Sequence, residues 1–247
     1  MSIFDIVLLF SAGFLSSVVN AIAGGGTFLT FGAMTLAGVP PIMAIATSSV
    51  TQFPGYVTSA LAYRKEIREA GREVWVLAGL SLAGSLAGSL ILVSMSNPSF
   101  RSLVPWLLLA ATIIFAAGPY LRPKHLHAEQ PLTRWGLVAQ FVTSIYGGFF
   151  GAGMGIMMLA VLGVTKGGDY HKLNALKNVI AVVIAFIAII VFSSGGVVAW
   201  LPAVIMIPAG ALGGYAGVWA ARRVPQSVTR AVVVVVGLVL SWYYFTS

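Results

Sequence analysis

Long apolar stretches separated by short polar connections run along the whole chain, and they predict a bundle of membrane-spanning helices. A helix needs about 20 mostly apolar residues to cross the hydrocarbon core of a bilayer. Eight stretches approach or exceed that length, which predicts an all-α integral membrane protein with about eight long transmembrane helices. They cover residues 3–22, 42–62, 74–94, 102–121, 134–150, 173–193, 197–220 and 228–245.

Two further apolar stretches, residues 27–37 and 154–164, are too short to cross. Each would form a helix of about 16 Å, half the thickness of the bilayer core. Each follows a glycine cluster, at residues 24–26 and 151–155. Glycine tolerates the sharp turn of a re-entrant or broken helix, although clustered glycines can also simply allow close helix packing. Glycine-broken half helices in both halves of a chain are the best sequence indicator of a transporter's binding site.

An internal repeat relates the two halves of the chain. Residues 149–233 align with residues 20–104 without a gap at an offset of 129 positions. We therefore predict a first repeat at 1–121, a linker at 122–133 and a second repeat at 134–247. Ala152, Gly153, Gly155, Gly167, Gly213, Gly217 and Arg230 fall on Ala23, Gly24, Gly26, Gly38, Gly84, Gly88 and Arg101.

The basic residues predict that the second repeat is inverted relative to the first. Lys and Arg concentrate in the connections at 63–73, 122–134, 165–172 and 221–230, and such connections favour the cytoplasmic side. All four can lie on that side only if each glycine turn sends the chain back toward the side from which it came. Both termini would then lie outside.

Composition excludes several classes of protein. Hydrophobic residues make up 59% of the chain and charged residues 8%, whereas soluble domains carry about 25% charged residues. The net charge of +8 comes from residues scattered between apolar stretches, which is typical of a protein in membrane lipid and not of a nucleic-acid-binding protein. The absence of cysteine excludes disulfides and thiolate chemistry.

No cofactor or metal is expected. His125 and His127 lie in the linker without helical spacing, and we interpret them as solvated loop residues. The six acidic residues all lie near segment ends or in connections, so no carboxylate is available at mid-membrane for a cation path or a proton relay. The motifs of intramembrane proteases are also absent. We therefore expect a protein that is not an enzyme. Residues 3–22 lack the basic start of a signal peptide, so we interpret them as a helix of the bundle.

The half helices favour an anion, because their first N–H groups and positive dipole ends would face a ligand at the glycine turns. Asn20 and Tyr146, which precede the turns, are further candidates. The residues of the turns that we expect to bind are Gly24, Gly25, Gly26, Thr27, Gly151, Gly153, Met154 and Gly155.

The long helix after each turn adds polar candidates at equivalent positions. Lys177 lies about 12 Å into its helix if that helix starts near Asp169, and ionisable groups at such depth are usually functional. Lys177 could instead extend its ammonium group to the interface, and the hydroxyl groups could bond within their own helix. The candidates are Thr47, Ser48, Ser49 and Gln52 in the first half and Asn174, Lys177 and Asn178 in the second.

These motifs resemble those of the sulfite exporter TauE/SafE family. Residues 20–31 and 38–50 are similar to its first repeat, and residues 151–159 and 174–178 to its second. The resemblance implies a multi-span transporter of the bacterial plasma membrane that moves a small sulfur-containing anion such as sulfite, thiosulfate or an organosulfonate. We expect the anion to bind between the repeats and to move outward by alternating access.

Other functions stay open at this stage. The same turns and donors would suit a small-anion channel or a carrier of a different small organic anion. A non-transporting assembly subunit or a lipid-facing enzyme is a third class. The sequence leaves the anion, the coupling ion and any homo-oligomer undefined.

Overall fold

The computed structural model describes residues 2–22, 24–121, 130–221, 223 and 226–246, and these residues form eleven α-helices and no strand. The prediction of an all-α protein is confirmed. The helices are α1 (Ile3–Ile22), α2 (Thr27–Leu36), α3 (Pro41–Ala62), α4 (Arg64–Glu69), α5 (Glu73–Ser94), α6 (Asn97–Leu121), α7 (Arg134–Phe149), α8 (Met154–Thr165), α9 (Tyr170–Ser194), α10 (Trp200–Ala221) and α11 (Gln226–Thr246).

Six helices among the described residues, α1, α5, α6, α9, α10 and α11, are long and apolar enough to cross a membrane. The expectation of about eight long helices is therefore met for six. The other two differ for physical reasons. α7 has 16 residues and reaches only about 24 Å. α3 has 22 residues, but a polar run at 47–52 lowers its hydropathy.

Local side chains set several helix starts. The Asp169 carboxylate accepts the N–H groups of His171 and Lys172 at 2.8 and 3.3 Å, so α9 begins next to Asp169, as expected. α6 begins five residues earlier than the hydropathy predicts, at Asn97, because the hydroxyl of Ser96 accepts the N–H of Ser99 at 3.3 Å and caps the helix. α4 was predicted only as part of a connection, since its six residues are mostly charged.

The two halves have matching elements. α3 and α9 begin at residues 41 and 170, and α6 and α11 begin at 97 and 226, both 129 residues apart. Gly24 and its counterpart Gly153 have φ of +84° and +76°, a region that favours glycine. α1 packs along α10, and the equivalent α7 packs along α5. The first helix of each half therefore packs along a helix of the other half.

The basic connections meet at one end of the bundle, which we call the basic end. Lys166, after α8, forms an ion pair with Glu73, and Lys172 pairs with Glu69 at 3.1 Å. The connections at 63–73 and 165–172 therefore lie at the same end, as the charge pattern predicts. The predicted linker lies largely outside the described residues, as do Ala23, Arg222, His125 and His127.

Aromatic side chains fill the space between the glycine turns and the opposite end. Phe31 of α2 contacts Phe150 and stacks on Tyr244, with ring centroids 6.2 and 5.6 Å apart. Phe100 also contacts Phe150, at 6.2 Å. We call these four residues the aromatic cluster. Asn97 accepts the N–H of Ile42 beside it, at 3.4 Å, which joins the starts of α3 and α6 at this end.

Candidate functional site

The two glycine turns contact each other in the interior of the bundle. A methyl group added to Gly24 would lie 2.6 Å from the Cα atom of Gly155, and one added to Gly155 would lie 2.6 Å from the Cα atom of Gly24. Backbone therefore packs on backbone, with no room for any side chain. Because α2 and α8 begin at these turns, the N-terminal ends of both half helices converge here.

A buried hydrogen-bond network surrounds the first turn, with Gln52 of α3 at its centre. The Gln52 amide nitrogen donates to the hydroxyls of Thr27 and Thr30 at 3.0 and 3.3 Å. Its amide oxygen accepts from the Asn20 amide and from the Tyr56 hydroxyl, the latter at 3.1 Å. All five side chains are buried. We call them the first-turn network, and every member belongs to the first half.

Asn20 also shapes the start of α2. Its side-chain oxygen accepts the backbone N–H of Gly26 at 2.8 Å. That N–H group is one of the unpaired donors at a helix start. The turn is therefore capped from within the first half, and the Gly26 N–H is already engaged.

The second turn is stabilised in a different way. The N–H groups of Phe150 and Gly151 donate to the Tyr146 carbonyl at 2.8 and 3.1 Å, so the last turn of α7 is closed by its own next residues. Gly151 has a φ of +72°, as expected for a glycine that ends a helix. The Tyr146 hydroxyl donates to the Ala152 carbonyl at 2.6 Å.

A cavity of about 10 Å³ lies between the turns, which is about the space that one water molecule needs. Its first-half wall is polar and its second-half wall is mostly apolar. An anion with four or more non-hydrogen atoms needs more space, so binding requires these walls to move apart. The lining residues are Thr27, Ser49, Gln52, Tyr56, Gly147, Phe150, Gly151, Met154, Ile184 and Ala185.

One face of α9 binds the C-terminal end of α1. The Tyr170 hydroxyl donates to the Ile22 carbonyl at 2.9 Å, and the Asn174 amide to the Ala21 carbonyl at 3.1 Å. The Lys177 ammonium donates to the Asn20 carbonyl at 2.7 Å. Carbonyls at a helix end have no partner within the helix. Asn174 and Lys177 therefore stabilise the first turn by binding the end of the helix that leads into it. Lys177 is only 1% exposed.

Lys177 also has an electrostatic effect on the site. The C-terminal end of a helix carries a partial negative charge, which a nearby cation offsets. α1 ends at the first turn, so an uncompensated end would repel an anion there. The Lys177 ammonium removes that repulsion without lining the cavity itself.

Some predicted residues lie elsewhere. The Thr47 hydroxyl accepts the Ala199 N–H at 2.8 Å, and the Ser48 hydroxyl donates to the Ala44 carbonyl at 2.8 Å within its own helix. Asn178 is buried, and its amide atoms have no partner among the described residues. Neither these three nor Gly25, which faces Phe115, line the cavity.

Two polar members of the site were missed by sequence reasoning, as were the cavity-lining residues Gly147, Phe150, Ile184 and Ala185. Thr30 lies three residues after Thr27, and Tyr56 lies four residues after Gln52. Both spacings put side chains on the same helix face, so extending each polar candidate by one helical turn finds them. Among the described residues, no group of three or more His, Asp or Glu could hold a metal ion.

Comparisons with known proteins identify one family and several membrane-transporter relatives. The family model described as "Sulfite exporter TauE/SafE" matches residues 9–244. A "Probable membrane transporter protein" of Haemophilus influenzae is 25% identical over 97% of both chains. The "Probable membrane transporter protein ORF9" of Sinorhizobium is 28% identical over 70% of this chain and 69% of that protein. The protein YfcA of Escherichia coli K12, with the same description, is 24% identical over 95% and 87%.

Proposed function

The chain belongs to the sulfite exporter TauE/SafE family and is a multi-pass membrane transporter of the bacterial inner membrane, and from that premise we propose that it carries a small sulfur-containing anion. The anion, such as sulfite, thiosulfate or an organosulfonate, binds between the two glycine turns. The observation that carries this proposal is the convergence of two helix starts on a cavity with one donor-rich wall.

The charges around the cavity favour an anion. The starts of α2 and α8 contribute positive dipole ends. Lys177 offsets the negative end of α1. Among the described residues no carboxylate lines the cavity, so no negative side chain there repels a negative ligand.

The two walls suggest how such an anion is held. Gln52 and Thr27 offer amide and hydroxyl donors to its oxygen atoms, and Tyr56 and Ser49 add further hydroxyls. Binding exchanges the bonds that Gln52 now makes within the first-turn network for bonds to the ligand. The apolar wall around Met154 contacts the less hydrated part of the ligand, its sulfur atom or short alkyl group.

We further propose that the halves form an inverted repeat. Arg101, near the start of α6, lines one groove together with Tyr244 and Phe245 at the end of α11, and Trp106 of α6 packs on Phe245 with ring centroids 5.1 Å apart. These two equivalent helices are therefore antiparallel, and Arg101 and its counterpart Arg230 lie toward opposite ends of the bundle. An inverted repeat requires this arrangement.

Two closures of the site support the proposal that the carrier works by alternating access. The ion pair of Lys166 with Glu73 at the basic end closes one approach, and the aromatic cluster closes the other. Rocking of one half against the other would open them in turn. Export of an anion is favoured by about 2.3 kcal/mol per charge per 100 mV in an inside-negative membrane, so outward movement needs no coupled ion.

Flux into liposomes tests the proposal. Labelled sulfite, thiosulfate, sulfoacetate and taurine are offered to reconstituted protein, with and without a membrane potential. We expect saturable flux of one of them, inhibition by the others, and acceleration of the labelled flux by unlabelled substrate on the opposite side. Flux that does not saturate and shows no counterflow would support a small-anion channel instead. No flux of any compound, at either potential or with a proton gradient, would remove the sulfur-anion assignment.

A further inference from the structure

A second cavity, remote from the glycine turns, lies at the basic end between α3 and α10. It is a groove of about 490 Å³. Its walls include Leu61 and Val218, and its rim includes Tyr215, Trp219 and Arg64. The groove faces outward from the bundle, since Leu61, Tyr215 and Trp219 are 65%, 69% and 61% exposed.

The groove forms where two closely packed helices separate. The hydroxyls of Thr58 and Ser59 donate to the carbonyls of Ala211 and Gly214, both at 3.1 Å. These bonds hold α3 against α10. Beyond them α3 ends at Ala62 and α10 at Ala221. The groove therefore sits at the level where the apolar segments give way to the basic connections.

The guanidinium groups of Arg64 and Arg223 lie where the apolar segments give way to the basic connections. The Arg223 guanidinium lies over the Trp219 ring, 3.9 Å from its centroid, an arrangement that holds the cation by attraction to the ring face. Arg64 lines the groove from the start of α4. Within the described part of the chain neither arginine forms an ion pair. An apolar groove below two cations complements an amphipathic anion.

We propose that this groove binds one anionic phospholipid. Its phosphate contacts Arg64 and Arg223, and an acyl chain lies against Leu61, Val218 and the Tyr215 ring. Basic side chains next to membrane helices attract anionic lipid headgroups, and Trp and Tyr rings prefer the headgroup level. Free phosphate fits less well, because most of the groove surface is apolar and faces the acyl chains of the bilayer.

The bound lipid would bridge the two halves. α3 belongs to the first half and carries Gln52 and Tyr56, whereas α10 belongs to the second. A lipid seated on both helices therefore contacts the same helix that lines the candidate anion site. The lipid proposal stands without the anion assignment, because it uses none of the residues of that site.

Native mass spectrometry of the purified full-length chain tests the lipid site. Phosphatidylglycerol and phosphatidylcholine with matched acyl chains are added separately. We expect retained phosphatidylglycerol and about tenfold less of it on the double variant Arg64→Gln/Arg223→Gln, because two cationic contacts are lost. The double variant Arg64→Lys/Arg223→Lys keeps the charge and should keep most of the lipid.

A matched control removes the same charge elsewhere on the basic end. Arg72→Gln/Arg134→Gln changes two exposed arginines that do not line the groove and should leave lipid retention unchanged. Equal loss in both glutamine variants would overturn the proposal, since it would indicate a general surface charge effect. Equal retention of phosphatidylcholine, or displacement of the lipid by inorganic phosphate, would also overturn it.

Discussion

The two glycine turns share a left-handed glycine at equivalent positions, but the side chains around them differ. Gly24 and Gly153 adopt the same left-handed conformation at equivalent positions. The side chains around them differ at every position of the first-turn network. Asn20, Thr27, Thr30, Gln52 and Tyr56 correspond to Phe149, Ile156, Leu159, Ala181 and Ala185.

The difference indicates a division of roles. The shared glycines form a frame in which backbone packs on backbone at Gly24 and Gly155. The polar side chains that line the cavity all lie on the first-half side of that frame. The second half supports the first turn from a distance, because Asn174 and Lys177 of α9 bind the end of α1. α3 cannot make the equivalent contact, because Ile45 and Ser48 replace Asn174 and Lys177 at the equivalent positions.

The largest losses of stability and flux are expected when the contact between Gly24 and Gly155 is disrupted. Gly24→Ala and Gly155→Ala each place a methyl group 2.6 Å from backbone atoms of the other turn. Overpacking of this kind costs about 1–3 kcal/mol, and the positive φ of Gly24 adds strain. We expect a lower melting temperature in detergent and loss of flux for both variants.

Gly79→Ala is the matched control for these variants. A methyl group at Gly79 meets nothing within 4 Å, and alanine favours the helix. Melting temperature and flux should stay at the wild-type level. Wild-type behaviour of Gly24→Ala or Gly155→Ala would show that the turns are not in tight contact.

The next largest effect is expected at Lys177 of α9, compared with its counterpart Ser48 of α3. Lys177→Met leaves the buried Asn20 carbonyl without its donor, which costs about 1–3 kcal/mol, and restores the negative end of α1 at the site. We expect flux to fall about tenfold or more. Its counterpart Ser48→Ala removes only a bond within α3 and should change stability by less than about 0.5 kcal/mol. Similar losses in both variants would contradict the division of roles.

A smaller effect is expected from a single hydroxyl of the polar wall. Thr27→Val keeps the shape of the side chain but removes a donor to the ligand. One hydrogen bond of about 1–1.5 kcal/mol corresponds to a roughly tenfold higher KM for transport. Ile156→Val, the equivalent position in the second half, should leave KM unchanged. If Ile156→Val raises KM as much as Thr27→Val, the donors of the first turn are not the selective ones.

The smallest effect is expected at the basic end. Glu73 is 31% exposed and pairs with the buried Lys166, so solvent screens part of the interaction. Because the chain has no cysteine, Ser49→Cys reports access to the cavity through labelling by an impermeant thiol reagent. Adding Glu73→Gln should speed labelling from the basic end about two- to fivefold, since a surface pair contributes about 0.2–1 kcal/mol.

Glu69→Gln provides the comparison for that measurement. Its partner Lys172 is 35% exposed, and Glu69 itself is 57% exposed. Labelling of Ser49→Cys should then stay unchanged. A labelling rate that is insensitive to Glu73→Gln would mean that this ion pair does not close the site.

Much of the fold could be predicted from the sequence, because its signals are local. Hydropathy identifies the long helices, and the clusters at 24–26 and 151–155 identify the turns. Lys177, expected about two turns into its helix, is the eighth residue of α9 and is buried. Helix starts set by caps, such as Ser96 before α6, shifted boundaries that hydropathy alone placed too late.

The details of the site were less predictable, because they depend on contacts between distant segments. Lys177 and Asn174 were expected to face the anion, yet their side chains donate to carbonyls at the end of α1, a contact across more than 150 positions. No periodic pattern encodes such a pairing. Thr47 and Ser48 resemble ligand donors in sequence, but their hydroxyls bind backbone groups outside the cavity, as hydroxyls in helices often do.

Equilibrium binding of labelled sulfite and thiosulfate to the purified protein tests the central claim most directly, because binding needs neither a gradient nor a full transport cycle. Wild type and Ser48→Ala should bind one of these anions saturably. Gln52→Leu, checked for an unchanged melting profile, should lose that binding, because it removes the centre of the first-turn network. Wild-type affinity in folded Gln52→Leu would contradict the account and place the anion outside the contact of the two turns.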